Sequence, residues 1–148
     1  MLEVEFFGVG DAIRMREALA IRRRVFVDEQ GVPPEEEVDE YDRSDASAVH
    51  ALLLCDGPRY IGAARFYACN ATTVRIGRMA IDARARGTGA GRYLLAALGD
   101  EARRLGFERA HLHAQAHARG FYARAGYVDD GESLWDAGIL HQPMTKRL

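Results

Sequence analysis

Hydrophobic and polar positions recur along this chain with two alternating periods. Met15, Ala18, Leu19, Arg22, Val25 and Phe26 fall on one face at helical spacing. Gly10-Asp11 supplies a turn and an N-cap ahead of them, and Gly31 with Pro33-Pro34 ends the helix at Gln30. Leu94, Leu95, Leu98, Ala102 and Leu105 mark a second long amphipathic helix over Gly87 to Leu105, stopped by Gly106. A shorter helix is expected at Ala116 to Ala125, before Gly126.

Between the helices lie β-rich runs: residues 2–9, then 48–55 and 59–69 as a hairpin about Asp56-Gly57-Pro58, then 73–82 and 109–114. Tyr127 to Asp129 and Ile139 to Arg147 read as two last strands joined by a Gly-rich excursion, and the acidic stretch Glu35 to Asp45 as a loop or short helix. The 73–82 run breaks its own alternation. Val74 and Ile76 share one parity, Met79 and Ile81 the other, with Gly77-Arg78 between, which predicts a β-bulge and unpaired main-chain groups. The order of elements predicts a single α/β domain over residues 1–148, a mixed, mostly antiparallel sheet flanked by helices.

Composition narrows the function classes. With 48% hydrophobic and 28% charged residues the chain is globular and able to fold alone. No apolar run approaches the roughly 20 residues of a membrane span, and the acidic start Met1-Leu2-Glu3-Val4-Glu5 is unlike a signal peptide, so a cytoplasmic protein is expected. Cys55 and Cys69 sit in apolar segments without metal-ligand spacing and are expected as buried thiols. His111, His113 and His117 could in principle ligate a metal, but alternating histidines are commoner as packed or surface residues, and no metal is expected. The net charge of −2 argues against a nucleic-acid partner. It also conceals an asymmetry, with nine acids and one Arg in Asp28 to Asp45 but five Arg and one Asp in Arg75 to Arg92.

That basic stretch holds the most informative turn, Arg86-Gly87-Thr88-Gly89-Ala90-Gly91-Arg92, between a strand and a long helix. Glycines allow close approach of an anion, and a helix start offers unpaired N–H groups at the positive end of its dipole, so a pyrophosphate fits. The alternative is a plain turn and cap. The GxxxxGK[ST] pattern of a P-loop is absent, and a dinucleotide fingerprint needs a parallel βαβ unit where an antiparallel meander is expected. Tyr122, on the short helix, is by position alone either a core-packing ring or a polar group aimed at a site.

Arg86-x-x-Gly89-x-Gly91 after a bulged strand resembles the acyl-CoA-binding motif of the GNAT superfamily of N-acetyltransferases. The stretch Gln115 to Tyr127, with Tyr122 four residues before Gly126-Tyr127, resembles that superfamily's second hallmark. Arg22 to Gln30, Asp39-Glu40-Tyr41-Asp42, Arg75 to Ile81 and Gly138 to His141 are similar to its ElaA/YjcF-like bacterial branch. The resemblance implies acetyl-CoA as co-substrate and a small-molecule or peptide amine as acceptor. It further implies main-chain contacts from Met79, Ala80 and Ile81 to the pantetheine arm, and from Arg86, Gly87, Thr88, Gly89, Ala90, Gly91 and Arg92 to the diphosphate. Gln115 stands where many members place a cofactor-contacting Asn, and Tyr122 stands where a hydroxyl protonates the leaving thiolate.

Arg22, Glu29 and His141 from the shared segments are the acceptor-side candidates, and Glu29, Asp39 and Asp42 could attract a cationic acceptor. Acetyl transfer by direct attack needs a base, for which Glu29, His113, His141 or a water chain are candidates, and an oxyanion donor, for which a bulge N–H serves. Two rivals remain at this level: a transferase of longer acyl groups, since Arg22-x-x-Val25-Phe26 also resembles acyl-homoserine lactone synthases, and a non-catalytic CoA-binding regulatory module. An exposed strand near the C-terminus could pair two copies into a homodimer.

Overall fold

The structure, a computed structural model, describes residues 1–43 and 46–148. The acidic end residue Asp45 lies outside the described residues.

The strands are β1 (Leu2–Phe7), β2 (Val49–Cys55), β3 (Arg59–Ala68), β4 (Thr73–Ile81), β5 (Arg109–Gln115), β6 (Val128–Asp129), β7 (Leu134–Asp136) and β8 (Ile139–Arg147). They form one sheet in the order β1-β2-β3-β4-β5-β8-β6, with β7 also on β8. The helices are α1 (Ala12–Arg22), α2 (Pro34–Glu37), α3 (Ala90–Arg104) and α4 (Arg119–Arg124). All strand pairs are antiparallel except β4 with β5. Thus β4-α3-β5 is a parallel crossover unit, which the meander reading of the sequence did not anticipate.

Helices cover both faces of the sheet. The expected stripe of α3 is buried at Leu94, Leu95, Leu98 and Ala102 against Leu53, Phe66, Val74 and Ile76, while Leu105 at its end is exposed. On the other face Ala18, Ile21, Val25 and Phe26 pack on Leu52, Ala63 and Ala80. Removing these side chains from water drives the layering, at about 25 cal/mol per Å² of apolar surface. Asp11 caps α1 as expected, its carboxylate accepting from the Arg14 N–H at 3.0 Å.

Four details differ from expectation. The first helix is not uniform: after Arg22 it widens into a π-helical segment, Arg23–Glu29, with the Gln30 N–H bonded to the Val25 carbonyl. Such widening inserts a residue without breaking the apolar face, and at its end Glu29 meets Arg86 and Gln30 meets Gln115. The excursion before the last strand contains β7, which forms a hairpin with β8 through Ala137-Gly138 at φ 49° and 75°. Ala116–Ala118 is a separate 3-10 turn ahead of α4. Cys69 is exposed and Cys55 only half-buried, because both sit at strand ends.

The bulge lies where the parity flip placed it. Ala63 pairs with Ala80 but Arg65 with Gly77, so β4 carries one extra residue. Arg78, at φ 53°, absorbs the kink in the left-handed region, and it returns Met79 and Ile81 to the face of Val74 and Ile76. No helix among the described residues is long and apolar enough to cross a membrane.

Candidate active site

Parallel pairing between β4 and β5 lasts only from Thr73–Arg109 to Arg75–His111. Beyond it, among the described residues, β4 has no strand partner on that side although it runs on to Ile81 and β5 to Gln115, and the bulge at Arg78 falls in this unpaired stretch. A cleft of about 1640 Å³ opens there. Met79, Ile81, Gln115, Tyr122 and His141 line it, as do Glu29, Arg86 and Arg92.

At one end is the turn into α3. Gly87 and Gly89 have φ of 78° and 86°, which side chains with a Cβ rarely adopt, and both line the cleft. No side chain caps the helix, and among the described residues the first N–H bonded back into it is that of Tyr93, to the Gly89 carbonyl. The preceding N–H groups are therefore open to an anion. Gly91 is needed for a different reason: a Cβ there would lie 3.3 Å from the Phe121 ring. Thr88 turns its hydroxyl back onto the Ala85 carbonyl at 2.5 Å, and Ala80 and Ala90 are buried; the cleft lining is made by their neighbours Met79, Ile81, Gly87, Gly89 and Gly91 and not by these three. Arg86 donates to the Ile81 carbonyl at 3.0 Å and forms an ion pair with Glu29 at 2.7 Å.

Tyr122, on α4, lines the cleft with its ring edge-on to Phe121 and Tyr127 at 5.0 and 6.1 Å. Its hydroxyl makes no hydrogen bond to protein among the described residues, and burial pushes it up to about 12. The group therefore stays protonated throughout the neutral range.

The opposite wall is built by β5 and β8. Alternation along β5 buries Ala110, Leu112 and Ala114, turning His111, His113 and Gln115 to the other face. Gln115 is engaged with Gln30 in a reciprocal amide pair at 2.8 and 3.2 Å. His113 Nδ1 lies 3.0 Å from the Arg75 guanidinium, which can only donate, so Nδ1 accepts and the neutral ring carries its proton on Nε2. His141 is the reverse: Nδ1 lies 2.8 Å from the Ile139 carbonyl, which can only accept, so in the neutral ring the lone pair is on Nε2, which has no hydrogen-bond partner among the described residues.

Burial and the nearby Arg75 charge bring His113 down to about 4. The unfolded chain thus binds a proton that the folded one refuses between about pH 6.5 and 4, and stability should fall as pH drops through that window. The slope from this group is at most about 1.4 kcal/mol per pH unit. Urea midpoints measured against pH check this, and His113→Gln should flatten the curve. His50 and His111, also lowered by burial, act in the same direction.

Arg22 is placed differently from its expected role at the acceptor. Its guanidinium is 1% exposed and bonds Glu37 at 2.6 Å and Asp42 at 2.7 and 2.8 Å, far from any solvent-accessible contact. The acidic segment is likewise not a free cation trap. Arg65 forks onto Asp39 at 2.6 Å, Arg78 reaches the Glu37 carbonyl at 3.0 Å and Asp39 at 3.3 Å, and Tyr41 stacks on Tyr67 at 3.6 Å. Three arginines from α1, β3 and the bulge therefore pin residues 34–42 as a wall of the cleft. Burial opposes ionisation of Asp42, but hydrogen bonds and charge from Arg22 outweigh it and hold the carboxyl well below its ordinary value. Arg65, Arg75 and Arg78 were missed by sequence reasoning; the matching excess of acids in one stretch and arginines in the other was the available signal.

A GNAT acetyltransferase domain model matches residues 17–148, and the chain belongs to that family of N-acyltransferases. It is 33% identical over 134 residues to the uncharacterized N-acetyltransferase YjcF of Bacillus subtilis, covering 90% of this chain and 92% of that one. Among solved structures it is similar to an acyl-CoA N-acyltransferase from Pseudomonas aeruginosa, with TM-score 0.85, 29% identity and 99% of both chains covered. Escherichia coli ElaA superposes with TM-score 0.83 at 24% identity over 99% of both chains, a likeness of fold. The expected mixed, mostly antiparallel architecture is thus the observed one.

Proposed function

We propose that this chain is an acetyl-CoA-dependent N-acetyltransferase that acts on a primary amine by direct attack, with Tyr122 as general acid. The observation that carries this reading is one cleft holding both a bulged strand edge without a partner and an uncapped, glycine-lined helix start. Acetyl-CoA supplies the thioester-activated acetyl group and the diphosphate. The residues present fit it: open N–H groups from Gly87 to Arg92 with two arginines suit the diphosphate, and the β4 edge at Met79 to Ile81, which has no strand partner there although Arg86 donates to the Ile81 carbonyl, suits an extended arm that pairs like a strand.

Of the base candidates, His141 has the open lone pair. Glu29 is tied to Arg86, and His113 keeps its proton on the outward nitrogen. His141 takes the ammonium proton before attack, a main-chain N–H of the bulge donates to the oxyanion, Tyr122 gives its proton to the departing sulfur, and the second nitrogen proton, released as the amide forms, restores the tyrosine.

The test is calorimetric titration with CoA. Binding is expected in the wild type, and Gly89→Ala, strained at φ 86° by about 1–2 kcal/mol, should weaken it roughly tenfold. No heat of binding by folded wild-type protein would overturn the reading. Thiol release from acetyl-CoA compared with longer acyl-CoAs fixes the donor.

A further inference from the structure

The sheet face opposite α3 carries an apolar half and a polar half. α1 and its π-helical extension cover Leu52, Ala63 and Ala80. Further along, the same face presents Tyr67, Arg75, His113 and His141, all lining the cleft. Arg75 belongs there by alternation, since Val74 and Ile76 on either side are buried under α3. It is flanked in register by Tyr67 on β3 and His111 on β5.

The cations around this end are not equivalent. Arg65 is matched by Asp39 and Asp42, Arg78 by Asp39 and Glu37, and Arg86 by Glu29. Arg75 has no carboxylate within salt-bridge distance among the described residues; its protein partner is the neutral His113 ring. A half-buried guanidinium so placed keeps donors for an anion, in a fork that matches a carboxylate. His113 adds to this seat, because its remaining ring proton makes Nε2 a donor. His141 offers the opposite polarity, an acceptor lone pair. One end of the floor therefore gives hydrogen bonds and the other receives one.

Resting on the N-acyltransferase reading, we infer that the acceptor is an amino-acid-like zwitterion: Arg75 and His113 seat its carboxylate, and its amine faces His141. Spacing sets the length of the molecule. His113 pairs with Pro143 and Gln115 with His141, so the two histidines are diagonal neighbours whose backbones lie about 7–8 Å apart. A spacing on that scale suits an amine and a carboxylate several bonds apart, as in an ω-amino acid or a dipeptide, better than the single carbon between them in an α-amino acid.

The test compares 5-aminopentanoate with 5-aminopentanamide, and glycylglycine with glycylglycinamide, in thiol release from acetyl-CoA. The acids should exceed their neutral amides in kcat/KM by about tenfold or more. Arg75→Gln should bring that ratio close to one, and Arg75→Lys, which keeps the charge without the fork, should restore part of it. Equal use of acid and amide by the wild type, or a loss on Arg75→Gln that is proportional for both, overturns the inference. If CoA binds but no amine releases thiol, the N-acyltransferase reading fails separately. Titration of the same acid and amide into the wild-type protein then decides the seat: binding of the acid alone upholds it, and equal binding or none removes it.

Discussion

Arg22→Met is expected to lower the unfolding free energy by about 3–5 kcal/mol, a large part of the 5–15 kcal/mol that typically holds such a domain together. The side chain is 1% exposed and its two carboxylate partners are equally buried, so the substitution leaves two desolvated anions. What remains is too little. Asp42 keeps Arg65 at 3.0 Å, and Glu37 keeps Arg78 at 3.7 Å, but both arginines are already shared with Asp39. Arg22→Lys should recover only a fraction, because one ammonium cannot replace four bonds from a planar fork. The measurement is the urea midpoint at pH 7, with the slope unchanged if the denatured state is unaffected. Adding Glu37→Gln to Arg22→Met should restore part of the loss by removing one buried charge. A midpoint unmoved by Arg22→Met would show that the network contributes nothing net.

The same network explains what the sequence could and could not reveal. Alternation is a local property, so the parity break between Ile76 and Met79 disclosed the bulge, and the glycine-rich turn before α3 disclosed the helix start. Arg22, by contrast, is an acceptor-side candidate in the sequence only because it lies in a segment shared with the ElaA/YjcF-like branch. The structure buries Arg22 and exposes Arg23 and Arg24, since Arg22 shares the buried face of Ile21 and Val25. Its partners lie 15 and 20 residues away, and those of Arg65 23 and 26, distances at which spacing carries no information. The Arg75–His113 contact, 38 residues apart, was hidden for the same reason, although the parity of β4 already put Arg75 on the face opposite Val74. Histidine tautomers depend on single hydrogen bonds, and no residue type records them. The π-helical segment left no trace because a widened turn keeps the apolar face apolar. With three residues, β7 is too short to display a period.

Tyr122→Phe is expected to reduce kcat by about 10²-fold or more while leaving CoA affinity within twofold. The substitution removes one oxygen and keeps the ring, so the edge contacts with Phe121 and Tyr127 persist. Because the hydroxyl has no protein hydrogen-bond partner among the described residues, stability should scarcely change, and the urea midpoint serves as the control. An acid at about 12 is fully protonated at pH 7. Tyr122 should therefore add no limb to the wild-type pH–rate profile below about pH 10, and any acidic limb belongs to the base. The three outcomes separate three roles for the side chain. Lost turnover with retained CoA binding marks a proton donor; lost turnover together with lost binding marks a packing element of the cleft. A rate within threefold of wild type would assign the thiolate proton to solvent, and a regulatory CoA-binding protein would have no turnover for the substitution to change.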